Sequence, residues 1–266
     1  MLTSCAISEK RISSGMKNKA IIYGIVPARG DSKGVPGKNV KLLCGYPLIA
    51  YSIVASILSS KVSRTIVSTD SEKIADTALR YGAEVPFLRP KELARDDSPD
   101  MEFMFHALQW FQEKEGRVPD YLVHMRPTTP LRDPTIVESA VDQLVGHEGA
   151  TSLRSGHPAS ESPSKWFLLG NGGYFTSIHP DYSNEYINKP RQSFPTVYIP
   201  DGYVDVVKTS FILDSHMLHG KKMLGFVSPV CREVDTIEDF EYLEFELSQK
   251  GSSLLDYMKK RYPVEA

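Results

Sequence analysis

The sequence predicts an α/β fold: a three-layer, mostly parallel sheet with crossover helices, interrupted by an inserted arm. Two observations predict it. Through the first half, short apolar runs of strand length alternate with segments whose apolar residues recur at helical spacing, the pattern of a sheet covered by helices. From Arg154 to about Asp201 that alternation stops and the chain turns rich in Ser, Pro, Asn, Gly and Tyr. The expected division is a polar extension over residues 1–18, a core over 19–153 and 202–266, and an arm over 154–201.

Taken in order, Ala20 to Pro27 is an apolar strand, and a glycine- and proline-bearing loop follows it. Pro47 to Ser59 reads as a helix with Ile49, Ile53 and Ile57 at i, i+4 and i+8 and Val54 and Leu58 beside them, a buried face. Arg64 to Ser68 is the second strand. Ser71 to Tyr81 is a helix that Gly82 is placed to end, and Ala83 to Phe87 suggests a third strand. Pro99 to Glu115 is a helix presenting Phe103, Met104, Ala107, Leu108 and Phe111 on one side. Tyr121 to Met125 is the next strand. Pro134 opens another helix, where proline suits the first turn, and Gly149 to Leu153 closes the alternating part. Within the arm, WFLLGNGGYFTSI has hairpin character. Strand-like pieces return at Tyr203 to Val207 and Leu224 to Val227, and a final helix spans roughly Ile237 to Gln249.

Composition narrows the function. Hydrophobic residues make up 41% and charged residues 24% of 266, ordinary for a globular protein. The 31 basic and 33 acidic residues leave a net charge of -2, so no global field recruits nucleic acid or membrane. Cys5, Cys44 and Cys231 lie far apart and form no C-x-x-C pair, which argues against a zinc or disulfide framework and fits a reducing, cytoplasmic setting. No apolar run approaches the ~18 residues that span a bilayer. Met1 to Lys19 is polar and lacks the apolar stretch of a secretory signal; it reads as a disordered extension, with Met16 a candidate start.

The chemistry concentrates in Pro27 to Lys41, P-A-R-G-D-S-K-G-V-P-G-K-N-V-K, between the first strand and the first helix. Ligands of parallel sheets collect there, at strand carboxyl ends beside helix amino termini. Glycines 30, 34 and 37 let backbone N–H groups approach an anion. Arg29, Lys33, Lys38 and Lys41 against Asp31 leave a surplus of three positive charges, which suits a triphosphate better than a merely solvated loop. The P-loop pattern fails, with Ser32 at the first glycine position and Asn39 for Ser/Thr, and G-x-G-x-x-G is absent, which disfavours a P-loop kinase and a nicotinamide oxidoreductase.

VPARGDSKGVPGKNV resembles the signature of the acylneuraminate cytidylyltransferases, also called CMP-sialic acid synthetases, and more distantly that of the CMP-Kdo synthetases. The resemblance continues in VSTDSEKIAD, GAEVPFLRPKELARDDSP, RPTTPLRDP, RQSFP, DGYVDVV and REVDTIEDFE, in the family's order from about Ala20 to Leu247. It implies a Rossmann-like nucleotidyltransferase core and an arm that helps form a homodimer. It also implies that CMP is transferred from CTP to the anomeric hydroxyl of a sugar acid. By similarity Arg29, Ser32, Lys38 and Asn39, with Lys33 beside them, hold the CTP phosphates, Arg29 and Lys38 acting in catalysis. Arg89 and Ser98 border the cytosine. Lys165, Arg191 and Gln192 face the sugar acid, partly across the dimer, and Glu233 and Asp235 bind magnesium.

The acidic pair also has a physical rationale. Residues 233 and 235 of a strand point to one side, and two carboxylates suit a hard divalent cation bridging phosphate oxygens; alone, E-x-D near a helix start is more often a cap or a solvated face. Three departures stand out. Asp31 replaces a common glycine, and Glu233 a more frequent Asp. Arg126 stands where the sialic acid enzymes commonly carry Gln. Arginine there is able to grip a carboxylate in bidentate fashion, so the accepted acid is expected to differ from N-acetylneuraminate. Among other residues, His106 reads as a surface or core-edge helix residue and His124 as packing, while His157, which opens the stretch leading to Lys165, reads equally as a substrate neighbour or not. Asp70 reads as a helix cap, and the arm's tyrosines as interface. The competing readings are the same chemistry on an eight-carbon Kdo-type acid, and a non-catalytic nucleotide-sugar binding homologue.

Overall fold

The structure, a computed structural model, describes residues 19–263 apart from Lys33; the expected extension over 1–18 and the phosphate-loop assignment of Lys33 lie outside the described residues. The strands are β1 (Ile22–Pro27), β2 (Leu42–Leu43), β3 (Tyr46–Pro47), β4 (Arg64–Ser68), β5 (Tyr121–His124), β6 (Ser152–Pro158), β7 (Phe167–Leu169), β8 (Phe175–Ser177), β9 (Tyr198–Lys208) and β10 (Met223–Val227). The helices are α1 (Leu48–Leu58), α2 (Glu72–Arg80), α3 (Asp100–Glu115), α4 (Pro134–Val145), α5 (Thr209–Ser215), α6 (Ile237–Lys250) and α7 (Ser253–Arg261).

Six strands form one sheet in the order β10-β6-β9-β5-β1-β4. All its pairings are parallel except those of β9, which runs against both neighbours. Alternation along each strand feeds two cores. On β1, Ile22 and Val26 face a cluster built with α1, α4, α6 and α7, while Tyr23 and Ile25 face one built with α3 and α5. That is the three-layer arrangement expected from alternation. The carboxyl ends of β1, β4 and β5 open on one edge, which positions the site.

Several local expectations change. No strand forms at Ala83 to Phe87. Only isolated parallel bridges join Ile66 to Glu84 and Thr69 to Leu88, because Pro86 has no N–H to continue a ladder. Helix α1 is buried around its whole girth from Leu48 to Ser56, whereas Ile57 and Leu58 at its end are partly exposed. Strand β6 keeps pairing to Pro158, and β9 begins at Tyr198, so the main sheet reaches into the stretch read as arm. Helices α5 and α7 were not expected; each is short, and α7 buries only Leu254, Leu255 and Met258. The hairpin β7–β8 is present and antiparallel, with Phe167, Leu168, Leu169 and Phe175 exposed. No described helix is long and apolar enough to cross a membrane.

Candidate active site

A hollow of about 350 Å³ opens at the carboxyl ends of β1 and β5. Its lining joins Arg29, Ser32, Lys38 and Asn39 from the loop after β1, Arg89 and Ser98 from the segment after α2, and Asp235 from the turn before α6. Arg126 closes the far wall. Five cationic side chains, Arg29, Lys38, Arg89, Arg95 and Arg126, face three carboxylates, Asp96, Asp100 and Asp235, so the hollow favours a polyanion.

The loop is tied down at several points. Asn39 is nearly buried and its Nδ2 donates to the Arg29 carbonyl at 3.0 Å. The Gly30 N–H donates to Asp70 Oδ1 at 2.8 Å. Lys38 Nζ donates to the Val234 carbonyl at 2.7 Å and stands 3.7 Å from Asp235 Oδ1. At Gly34 a Cβ would lie 2.3 Å from the Asp235 carbonyl oxygen, so only glycine lets the loop lie against that turn. The Arg29 guanidinium is held by Asp96 at 2.9 Å and the Arg95 carbonyl at 3.0 Å. Arg89 donates to Ser68 Oγ at 3.0 Å and lies over the Phe103 ring; burial lowers its guanidinium to about 10.

Glu233 and Asp235 are not on a strand. They flank Val234 in an irregular segment, where Val234 is buried and donates its N–H to the Thr128 carbonyl at 2.7 Å, while Glu233 is half-buried and Asp235 exposed. Burial first, then repulsion from Asp235, raises the Glu233 carboxyl above its ordinary value. No described cluster of three or more His, Cys, Asp or Glu side chains is placed to hold a metal. Two carboxylates in mutual repulsion, one of them lining the hollow, fit a divalent cation that would complete its shell with ligand oxygens and water.

Arg126 differs from expectation in its surroundings. Its fork is engaged, Nη1 with Asp100 at 2.8 Å and Nη2 with Asp205 at 3.1 Å. Lys165 Nζ donates to the Lys189 carbonyl, and Arg191 Nη2 to the Ala159 carbonyl. Arg191 and Gln192 line a second hollow in the arm, and none of these three arm residues lines the first. The geometry therefore brings together the loop, Arg89, Ser98, Arg126 and Asp235, with Glu233 just behind, and leaves the three arm residues apart.

Sequence reasoning missed three groups. Arg132 is fully buried and donates to Ser52 Oγ and to the carbonyls of Tyr203, Thr129, Arg126 and Gly202; burial lowers it to about 10. It therefore knits the 126–132 turn to β9. Asp205, inside an apolar V-D-V run, sits beneath Arg126. Asp201 accepts from Ser155 Oγ at 2.6 Å, Ser228 Oγ, the Tyr203 N–H and His157. Burial would raise its carboxyl, but these hydrogen bonds together outweigh burial and hold it below the ordinary value. Position in RPTTPLRDP and DGYVDVV was the available signal.

Residues 23–156 match the family model described as Cytidylyltransferase. A CMP-N,N'-diacetyllegionaminic acid synthase of Legionella pneumophila is 41% identical over 143 residues, 54% of this chain and 60% of that protein. A pseudaminic acid cytidylyltransferase of Campylobacter jejuni is 35% identical over 230 residues, 85% of this chain and 94% of that one. An N-acylneuraminate cytidylyltransferase of Escherichia coli is 31% identical over 235 residues, 86% of this chain but 52% of its own length. The chain thus spans little more than half the length of the Legionella and Escherichia relatives. The fold is similar to that of a solved CMP:2-keto-3-deoxy-manno-octonic acid synthetase complexed with CTP, with a TM-score of 0.64 at 16% identity over 87% of this chain and all of that one. A cationic loop against an acidic turn, on this sheet and with these relatives, makes the chain a member of the cytidylyltransferase family.

Proposed function

We propose that the chain transfers CMP from CTP to the anomeric hydroxyl of a nonulosonic, sialic-type acid and releases pyrophosphate. The observation that supports this reading is the direct tie between Lys38 and the Val234–Asp235 turn, which joins the cationic loop to the acidic turn where Lys38 and Asp235 line one hollow. In this reading Arg29, Ser32, Lys38 and Asn39 bind the triphosphate, with Lys33 beside them. Arg89 and Ser98 border the base, and Arg126 walls the acceptor side. Glu233 and Asp235 would hold the divalent cation, magnesium, which when bound supplies charge neutralisation on the phosphate oxygens. The acceptor oxygen forms its bond to the α-phosphorus as the bond to pyrophosphate breaks in line, and the hydroxyl proton leaves to solvent. Lys38 and Arg29 offset charge developing on the phosphoryl oxygens, the main contribution a protein makes to phosphoryl transfer. Arg29 first exchanges Asp96 for phosphate. Lys165, Arg191 and Gln192, held on the arm, serve the acceptor site of a partner copy.

The test is pyrophosphate release from four nucleoside triphosphates crossed with sialic, legionaminic, pseudaminic and Kdo-type acids, with and without magnesium. Release with CTP and one nonulosonate, abolished by chelation, is expected. Release only with the Kdo-type acid would move the substrate class, and silence with CTP still bound would favour a non-catalytic homologue.

A further inference from the structure

His124 ends β5 and lines the hollow, yet its side chain is 1% exposed and neither ring nitrogen has a hydrogen-bond partner. Its Nδ1 stands 3.9 Å from Asp205 Oδ2, beyond hydrogen-bond reach. A buried polar group without a partner is costly unless something fills its valence. Phe103 fixes the ring edge-on at 5.5 Å between centroids. Burial first, and then Arg126, Arg132 and Arg154, push the imidazole well below its ordinary pKa. It is therefore neutral and offers one donor and one acceptor. Beside it the Arg126 fork is already spent on Asp100 and Asp205. Of the buried groups here without a hydrogen-bond partner, Asp205 Oδ1 and Arg154 Nε face each other at 3.9 Å, and His124 is the one that lines the hollow.

Its place in the sheet says which ligand it meets. Arg89 is fastened to Ser68 at the end of β4, the loop follows β1, and β5 lies on the other side of β1, next to β9. On the reading above, which sets the base beside Arg89 on the β4 side, the β5 end would face the acceptor.

We propose that His124 is a specificity-determining residue that hydrogen-bonds an uncharged polar substituent of the sugar acid, a hydroxyl or acylamino group. The inference rests on the cytidylyltransferase reading above. The test compares wild type with His124→Leu and His124→Asn, measuring KM for CTP and for the accepted acid, the ranking of the acid panel, and Tm. His124→Leu is expected to raise KM for the acid about tenfold to a hundredfold, with KM for CTP within about twofold and Tm unchanged or higher, since an apolar side chain has no valence to leave unmet. His124→Asn, which keeps a donor and an acceptor, should recover part of the loss and supplies the comparison if the leucine variant folds poorly. An analogue of the acid lacking the contacted substituent should be used equally by wild type and His124→Leu. An active wild type whose KM and ranking for acids survive His124→Leu overturns the inference, as does a rise confined to KM for CTP. A wild type that releases no pyrophosphate with any pair sinks the cytidylyltransferase reading, and this inference falls with it.

Discussion

Lys38 is largely enclosed, spans the loop and the acidic turn, and brings the loop's charge to the hollow. Truncating Lys38→Ala removes a well-placed cation and should lower kcat about 10²–10³-fold with Tm changed by only a few degrees; steady-state kinetics beside a melting curve check it. Glu233 gives a prediction of opposite sign for stability and activity. Its folded carboxyl is raised by burial and Asp235, so between its unfolded and raised folded values the native state binds the extra proton and stability falls as pH rises. The ionised form is thus a burden at neutral pH. Glu233→Gln should raise the urea midpoint at neutral pH, flatten stability across that window, and still cost most magnesium-dependent turnover; a midpoint that drops would refute the assignment. Arg132 needs no ligand to matter. Arg132→Met strips a donor from four carbonyls, three of them buried, and should cost roughly 3 kcal/mol, read in urea unfolding. Of these residues the cations and carboxylates of the loop and turn were legible, because glycine spacing and charge mark them locally. Arg132, Asp205 and His124 were not, because their roles come from burial among segments distant in sequence, as where Arg132 meets Ser52 and Tyr203 and Asp205 meets Arg126, which sequence spacing does not display.

Elements with a strong period were read well, and those held by context were not. Helix α3 buries the five residues its spacing nominated, since sixteen residues give the pattern room to repeat. Strand β9 exceeded its apolar core at Tyr203 to Val207 because pairing with β6 continues through exposed Tyr198, Ile199 and Pro200, where hydropathy gives no cue. The turn at Glu233–Asp235 was read as a strand because alternation was visible and the absence of a pairing partner was not. What orders that turn is the start of α6, where Thr236 accepts from the Asp239 N–H and Asp239 Oδ2 accepts from the Thr236 N–H. Asp239 also accepts from the Asp235 N–H at 3.1 Å. Thr236→Ala should therefore cost about 1 kcal/mol, and should raise the magnesium concentration needed for half-maximal rate, because the cap fixes the residue carrying the carboxylate. An effect on stability with an unchanged magnesium requirement would separate the cap from the site.

At the scale of the molecule, the arm is the part a single chain leaves unfinished. Trp166, Phe167, Leu168, Leu169, Tyr174 and Phe175 are exposed together on or beside one hairpin, an apolar grouping that soluble monomers rarely leave uncovered. Lys165, Arg191 and Gln192 lie away from the hollow lined by Arg29, Lys38 and Arg89. On the proposed reading a second copy would resolve both features, covering the hairpin and bringing the arm's cations to a neighbour's acceptor end, in the isologous contact that most homodimers use. Sedimentation should then give a dimer for the wild type. The double substitution Leu168→Asp with Leu169→Asp should shift it to monomer without lowering Tm greatly, because both side chains are exposed in the single chain. The monomer should bind CTP with an unchanged Kd, since Arg29, Lys38, Asn39 and Arg89 all come from one chain, and lose turnover of the acid by at least tenfold, since its acceptor site then lacks the partner's contribution. Full turnover in a proven monomer would place the acceptor site within one chain and leave the hairpin without a catalytic role.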